Sequence, residues 1–216
     1  MISAHQQETK QRIAAALLKL IQDKAFKTVT VADILRAAKI SRGTFYRYYL
    51  DKYDLLDQYE DQLINAMTAI FEKYPKPDLT ELSAKSDVDA FYVMMMFIYQ
   101  HRRSIRTLVN CPETALLTKM RHLIGEQLVI GSPISISNNQ AESLQVPPQL
   151  ARALIVENVV TILNYWLNQM PMVSPTAAYA TFLHSRLLSP LDLATILTGS
   201  AQVTPDTMKM KPSLNK

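Results

Sequence analysis

Residues Thr28 to Leu56 read TVTVADILRAAKISRGTFYRYYLDKYDLL, and the punctuation of this stretch decides the fold. Thr30 stands before VADILRAA with Asp33 three residues on, the pattern of a capping box that opens a helix. Val31, Ile34, Leu35 and Ala38 form the apolar stripe of that helix. After Lys39-Ile40, Ser41 caps a second short helix, and Asp51 caps a long one running from Lys52 to about Glu72. A short capped helix, a turn and a second capped helix make a helix-turn-helix. Upstream, Lys10 to Lys24 places Ile13, Ala16, Leu17, Leu20 and Ile21 on one helical face before Ala25-Phe26 interrupts it. Three helices of about fifteen, eight and seven residues are therefore expected ahead of the long fourth.

The segment Ile40 to Leu56 mixes four tyrosines and two arginines with regularly spaced apolar residues. Phe45 and Tyr49 are four apart and share a face pointing back toward Ile34 and Leu35. Arg42, Gly43, Thr44, Tyr46, Arg47 and Tyr48 occupy the rest of the turn of chain. Gly43 lets the helix approach a groove floor or a phosphate with no side chain in the way. The N–H groups behind Ser41 are natural phosphate donors. Tyr46 and Tyr48 can reach phosphates through their hydroxyls, and Lys52 is placed to meet another. Arg47 suits DNA contact and a solvated or salt-bridged role equally. Thr30, Ser41, Arg42, Gly43, Thr44, Tyr46, Arg47, Tyr48 and Lys52 are the candidate DNA-binding residues.

Composition agrees. The chain has 216 residues but only four glycines, against about 15 at average usage. Scarce glycine with abundant Ala, Leu, Ile, Met and Gln favours an all-α fold. From Met1 to Leu56 there are ten Lys/Arg against five Asp/Glu; the remainder holds thirteen against fourteen. The positive excess lies wholly in the first quarter, as for a nucleic-acid-facing head on a near-neutral body. The single Cys111 excludes an internal disulfide and fits a reducing, cytoplasmic setting. MISAHQQETKQR lacks the apolar region of a signal peptide, and the longest apolar run, Ala90 to Tyr99, is ten residues. A soluble protein with no membrane partner is expected.

The stretch Thr28 to Leu56, with Phe26 and the first helix, resembles the TetR/AcrR family of transcriptional regulators. The resemblance covers about a fifth of the chain and is more specific than a generic helix-turn-helix. It implies that the second short helix enters the major groove. Positions matching Arg42, Gly43, Thr44 and Tyr46 would meet bases or phosphates, and those matching Tyr48 and Lys52 would hold the DNA backbone. Phe45 and Tyr49 match core positions. Three departures stand out: Lys39 where a small residue or glycine is common, Tyr48 where histidine is frequent, and Leu50 where proline is frequent. Lys39 would have to accept a left-handed conformation at about 1 kcal/mol.

Further along, Asp87 to His101 reads as an apolar helix and HRRSIRTLVNC as a short one. Pro112 fits the first position of a helix to about Val129, Gln149 to Met170 is a long helix, and Ser174-Pro175 opens another reaching about Leu188. Lys73 to Ser86 and Gly131 to Pro148 read as connections, and Gly199 to Lys216 as disordered. The segments FYVMMMFIYQHRRSIRTLV and ENVVTILNYWLNQMPMVSPTAAYATFL are similar to the subgroup of dihydroxyacetone-kinase operon regulators. That resemblance implies a ligand-binding and dimerisation domain in which the last two long helices pair with their symmetry mates. Met94, Phe97, Tyr99, Tyr165 and Trp166 are candidates for lining its pocket, with core packing as the alternative for the methionines and core or interface for Tyr165 and Trp166. Arg102, Arg103 and Arg106 suit an anion or a solvated face.

The expected organisation is a three-helix DNA-binding domain at 1–51, a helical ligand-binding and dimerisation domain at 52–190, and a flexible tail at 191–216. The expected function is a ligand-responsive homodimeric repressor on a palindromic double-stranded operator. A same-fold activator, or a regulator controlled by a protein partner without a small-molecule effector, is the alternative. No enzyme motif is present: Gly43, Gly125, Gly131 and Gly199 cannot build a dinucleotide or phosphate loop. His101 and His122 lack a partner at metal-binding spacing, so neither metal nor other cofactor is expected.

Overall fold

A computed structural model describes residues 4–75, 88–129, 146–185, 188 and 190–197. Every regular element among them is helical. The first four α-helices are α1 (Ala4–Asp23), α2 (Val31–Ala38), α3 (Arg42–Tyr46) and α4 (Lys52–Lys73), with a 3-10 turn at Phe26–Thr28. Then come α5 (Ala90–Gln100), α6 (Arg102–Val109), α7 (Leu116–Val129), α8 (Pro148–Asn168), α9 (Pro175–Ser185) and α10 (Pro190–Leu197).

The amino-terminal helices close around Ile13, Leu17, Phe26, Ile34, Phe45 and Leu55, all essentially without exposed surface. Burying side chains of this size is worth about 1.5–3 kcal/mol each. α1 packs on α2, and α4 continues from this cluster to meet α5 and α7. α8 lies on α7 and α6, α9 on α5, and α1 touches α6. One continuous apolar core therefore runs from Ile13 through Met67 and Met94 to Trp166 and Phe182. By length and composition alone α8 is apolar enough to cross a membrane. Its Val156, Val159, Val160, Leu163, Trp166 and Leu167 are buried in that core.

Several boundaries differ from the sequence expectation, each for a local reason. α1 begins six residues before Lys10, because Thr9 is buried and bonds His5 O through its hydroxyl at 2.9 Å; a mostly polar first turn gives no apolar stripe to read. α3 spans five residues, since Arg47 ends it and the chain turns toward Asp51. α7 starts at Leu116 and not at Pro112. The Thr114 hydroxyl donates to Leu108 O and Cys111 O and folds residues 111–114 into a turn. The freed amide of Ala115 is taken by the buried Glu60 carboxylate of α4 at 3.1 Å. α9 is described to Ser185, with residues 186 and 187 before its expected end near Leu188 outside the described residues, and residues 190–197 are helical where a flexible tail was expected from 191. Most of the two expected connections, and all of Gly199 to Lys216, lie outside the described residues.

Candidate nucleic-acid interface

Two capped helices and the turn between them set this surface. Thr30 Oγ1 accepts from Asp33 N at 3.2 Å while the Asp33 carboxylate accepts from Thr30 N at 3.0 Å, so the capping box is closed. Lys24 Nζ bonds the same carboxylate at 2.8 Å. That bond, followed by those from Thr30, holds the Asp33 carboxyl well below the usual carboxylate range. α2 ends at Lys39, which adopts φ 53° and ψ 52°, the left-handed conformation expected of it. Arg12 of α1 reaches the same corner and donates to Ala38 O at 3.0 Å and Lys39 O at 3.3 Å. These carbonyls are among those a helix end leaves unpaired. Nothing in local spacing marks Arg12, because its partners are 26 and 27 residues away.

α3 is held from below and open above. Phe45 is fully buried and Tyr49 nearly so, as their shared face required. Ser41 Oγ accepts from Thr44 N at 3.1 Å and shares a hydrogen bond with Thr44 Oγ1 at 2.8 Å. Ser41, Arg42, Gly43 and Arg47 are exposed, Thr44 is half-buried, and Tyr46 keeps 50% of its surface exposed while its ring meets the edge of Phe45. A side chain added at Gly43 would meet nothing closer than Ser41 Oγ at 3.9 Å. The monomer's packing therefore does not require glycine there. Tyr48 is half-buried beside Tyr49, with Lys10 Nζ 5.7 Å from both ring centres.

Besides the Ser41 and Thr44 hydroxyls, which bond each other, two more candidate DNA contacts are engaged within the chain. The Thr30 hydroxyl serves the capping box. Lys52 Nζ donates to Phe26 O at 2.9 Å, Lys27 O at 2.9 Å and Val29 O at 2.8 Å, and lies 4.7 Å from the centre of the Phe26 ring. An ammonium has three N–H donors, and these bonds use all of them.

The five pocket candidates do not converge. Met94 is in the core, and Phe97 lies half-buried with its ring 4.4 Å from that of His101. Tyr99 stacks near-parallel on Trp166, whose buried indole N–H donates to Val173 O at 3.0 Å. Tyr165 points the other way, with 66% of its surface exposed. A cleft of about 700 Å³ opens elsewhere, between the end of α1 and α6, and none of the five lines it. Among the described residues no group of His, Cys, Asp and Glu could hold a metal ion.

Residues 13–59, which carry α2, α3 and the start of α4, match the model of the bacterial regulatory proteins of the tetR family. An uncharacterised HTH-type transcriptional regulator of Bacillus subtilis, YxbF, is 27% identical over 172 residues, covering 79% of this chain and 43% of that protein. DhaS, the dhaKLM operon transcriptional activator of Lactococcus lactis, is 42% identical over 48 residues, 22% of this chain and 26% of that protein. The chain thus spans less than half the length of these curated relatives. Among solved structures, a TetR transcriptional regulator of Streptococcus agalactiae superposes with a TM-score of 0.56 at 19% identity, over 84% of this chain and 95% of that one. The fatty acid degradation regulator FadR of Bacillus halodurans gives 0.56 at 17% identity, over the same shares. These two likenesses show the fold. Residues 13–59 thus carry the amino-terminal domain of the tetR family of bacterial regulatory proteins, and the chain as a whole shares the fold of solved TetR regulators.

Proposed function

We propose that the chain is a cytoplasmic, homodimeric, ligand-responsive transcriptional repressor that binds a palindromic operator through α3. The observation that carries this reading is Gly43. A glycine inside a helix costs about 0.5–1 kcal/mol relative to alanine, and here no neighbour demands it. Its neighbours on the open side, Arg42, Tyr46 and Arg47, are exposed, as a surface that closes on a partner would be. Arg42 suits a guanine edge, Tyr46 a phosphate or a thymine methyl, and the first amides of α3 a phosphate. Thr44 and Tyr48 flank these contacts. Lys52 and Thr30 act by holding the head together, and Lys52 makes the first turn of α4 part of the head as well as of the body.

The dimer is assigned to α8 and α9. Leu150, Leu154, Asn158, Thr161 and Tyr165 follow one another along one exposed side of α8, opposite its buried face. The outer side of α9 carries the small residues Ala177, Ala180 and Thr181, which permit close approach of a second helix. Two heads related by a two-fold axis would read half-sites one helical turn apart. The likeness to DhaS, named as an activator, supports activation as the second reading.

Selection of bound sites from random DNA by the purified full chain tests the proposal. An enriched palindrome is expected, and a reporter placed under it should be silenced by the protein. Enrichment of no sequence would overturn the reading; a palindrome whose reporter rises would transfer it to activation.

A further inference from the structure

The cleft between α1 and α6 has a built chemistry. Ile21, Cys111 and Pro112 supply apolar surface to it, and Arg103 and Arg106, one turn apart on α6, supply two guanidinium groups. Among the described residues neither guanidinium pairs with a carboxylate. Arg106 Nη1 donates only to the thioether of Met170, at 2.8 Å, a weak acceptor. The acidic side chains at the rim are Asp23 and Glu113, and Glu113 is engaged by Lys27 at 3.9 Å and by the Cys111 thiol at 3.4 Å. Its volume of about 700 Å³ lies in the range of small-molecule sites.

We propose that this cleft binds a small organic anion, its apolar body against Ile21, Cys111 and Pro112 and its carboxylate or phosphate between Arg103 and Arg106. Guanidinium groups present paired N–H donors that match either oxyanion. The position gives occupancy a consequence, which rests on the DNA-binding reading above. Gln22 Nε2 donates to Thr107 Oγ1 at 2.9 Å, and Lys27 pairs with Glu113; both straps tie the head to α6 and its following loop at the cleft's edge. An occupant that parts or tightens these straps changes the angle at which α3 is presented.

Calorimetric titration of the full chain with phenyl phosphate, benzoate and inorganic phosphate tests the site without DNA. Phenyl phosphate or benzoate should bind at least about tenfold more tightly than inorganic phosphate, since only they fill the apolar part. Joint Arg103→Gln and Arg106→Gln substitution should weaken that binding by about tenfold or more. Arg102→Gln should leave it unchanged, because Arg102 lies over the Tyr99 ring and does not line the cleft. In the unsubstituted protein, the guanidinium N–H resonances of Arg103 and Arg106 should shift on titration and those of Arg102 should stay, which needs no variant to fold. Absence of binding at about 1 mM of either aryl anion, equal binding by a folded double variant, or unmoved Arg103 and Arg106 resonances would overturn the proposal. Failure here leaves operator selection untouched, and failure of operator selection leaves this titration untouched.

Discussion

Lys52 Nζ lies 2.8 Å from the Val29 carbonyl, and the bonds to Phe26 O and Lys27 O complete its set of donors. The lysine expected to meet DNA is thereby the clamp that fixes the start of α4 to the turn after α1. Replacing it by alanine leaves three carbonyls without this partner, and a hydrogen bond to a charged group is worth about 1.5–3 kcal/mol. Lys52→Ala should therefore lower stability by about 2–3 kcal/mol in urea unfolding. The salt dependence of DNA affinity should keep its slope. A slope reduced by about 0.9 would return Lys52 to the phosphate contacts.

Gly43→Ala separates folding from binding. The added methyl meets only open space near Ser41, so the head should gain about 0.5–1 kcal/mol from helix propensity. The same methyl would stand between α3 and whatever closes on it, so DNA affinity should fall. A variant that melts higher and binds DNA as well as before would refute close approach at this position.

Much of this was legible in the chain and some was not, and sequence distance divides the two. The Thr30–Asp33 box, the Ser41 and Asp51 caps, the left-handed Lys39 and the inward Phe45 and Tyr49 are all local, so residue type and spacing specify them. Arg12 at the end of α2, Lys52 beneath the Phe26 turn and Glu60 on the Ala115 amide join residues 23 to 55 positions apart. A charge can be recognised in a sequence, but its partner depends on how helices pack. The pocket candidates illustrate the same limit. Tyr165 and Trp166 are adjacent, and the helical turn between neighbours sends one outward and the other into the core.

Glu60 gives a pH signature. Burial raises its carboxyl above the ordinary value of 4.5, and the Ala115 amide and Lys119 offset that only in part. An acid whose folded-state value is raised binds more protons folded than unfolded. Its contribution to stability is therefore greatest below 4.5 and declines as pH rises through the raised value. Glu60→Gln keeps an oxygen for the Ala115 amide and removes the titration. Urea unfolding across this window should show a flatter pH dependence for the variant, with its relative stability improving toward high pH. Parallel curves for the two proteins would place the titration elsewhere.

The outer side of α8 offers the last test. Leu154 and Tyr165 are 60% and 66% exposed while the opposite side of the helix is buried. In a monomer, a glutamate at Leu154 would meet water at almost no cost, since substitutions on open surface change stability by about 0.5 kcal/mol or less. In a two-fold bundle the same carboxylate would be buried twice, facing its own copy without a counter-charge. Leu154→Glu should thus leave the helical content and the amino-terminal core intact while shifting sedimentation to the monomer. Operator affinity should drop with it, because one head makes only half the contacts of a palindrome. A variant that sediments as the parent protein does would move the pairing surface off α8.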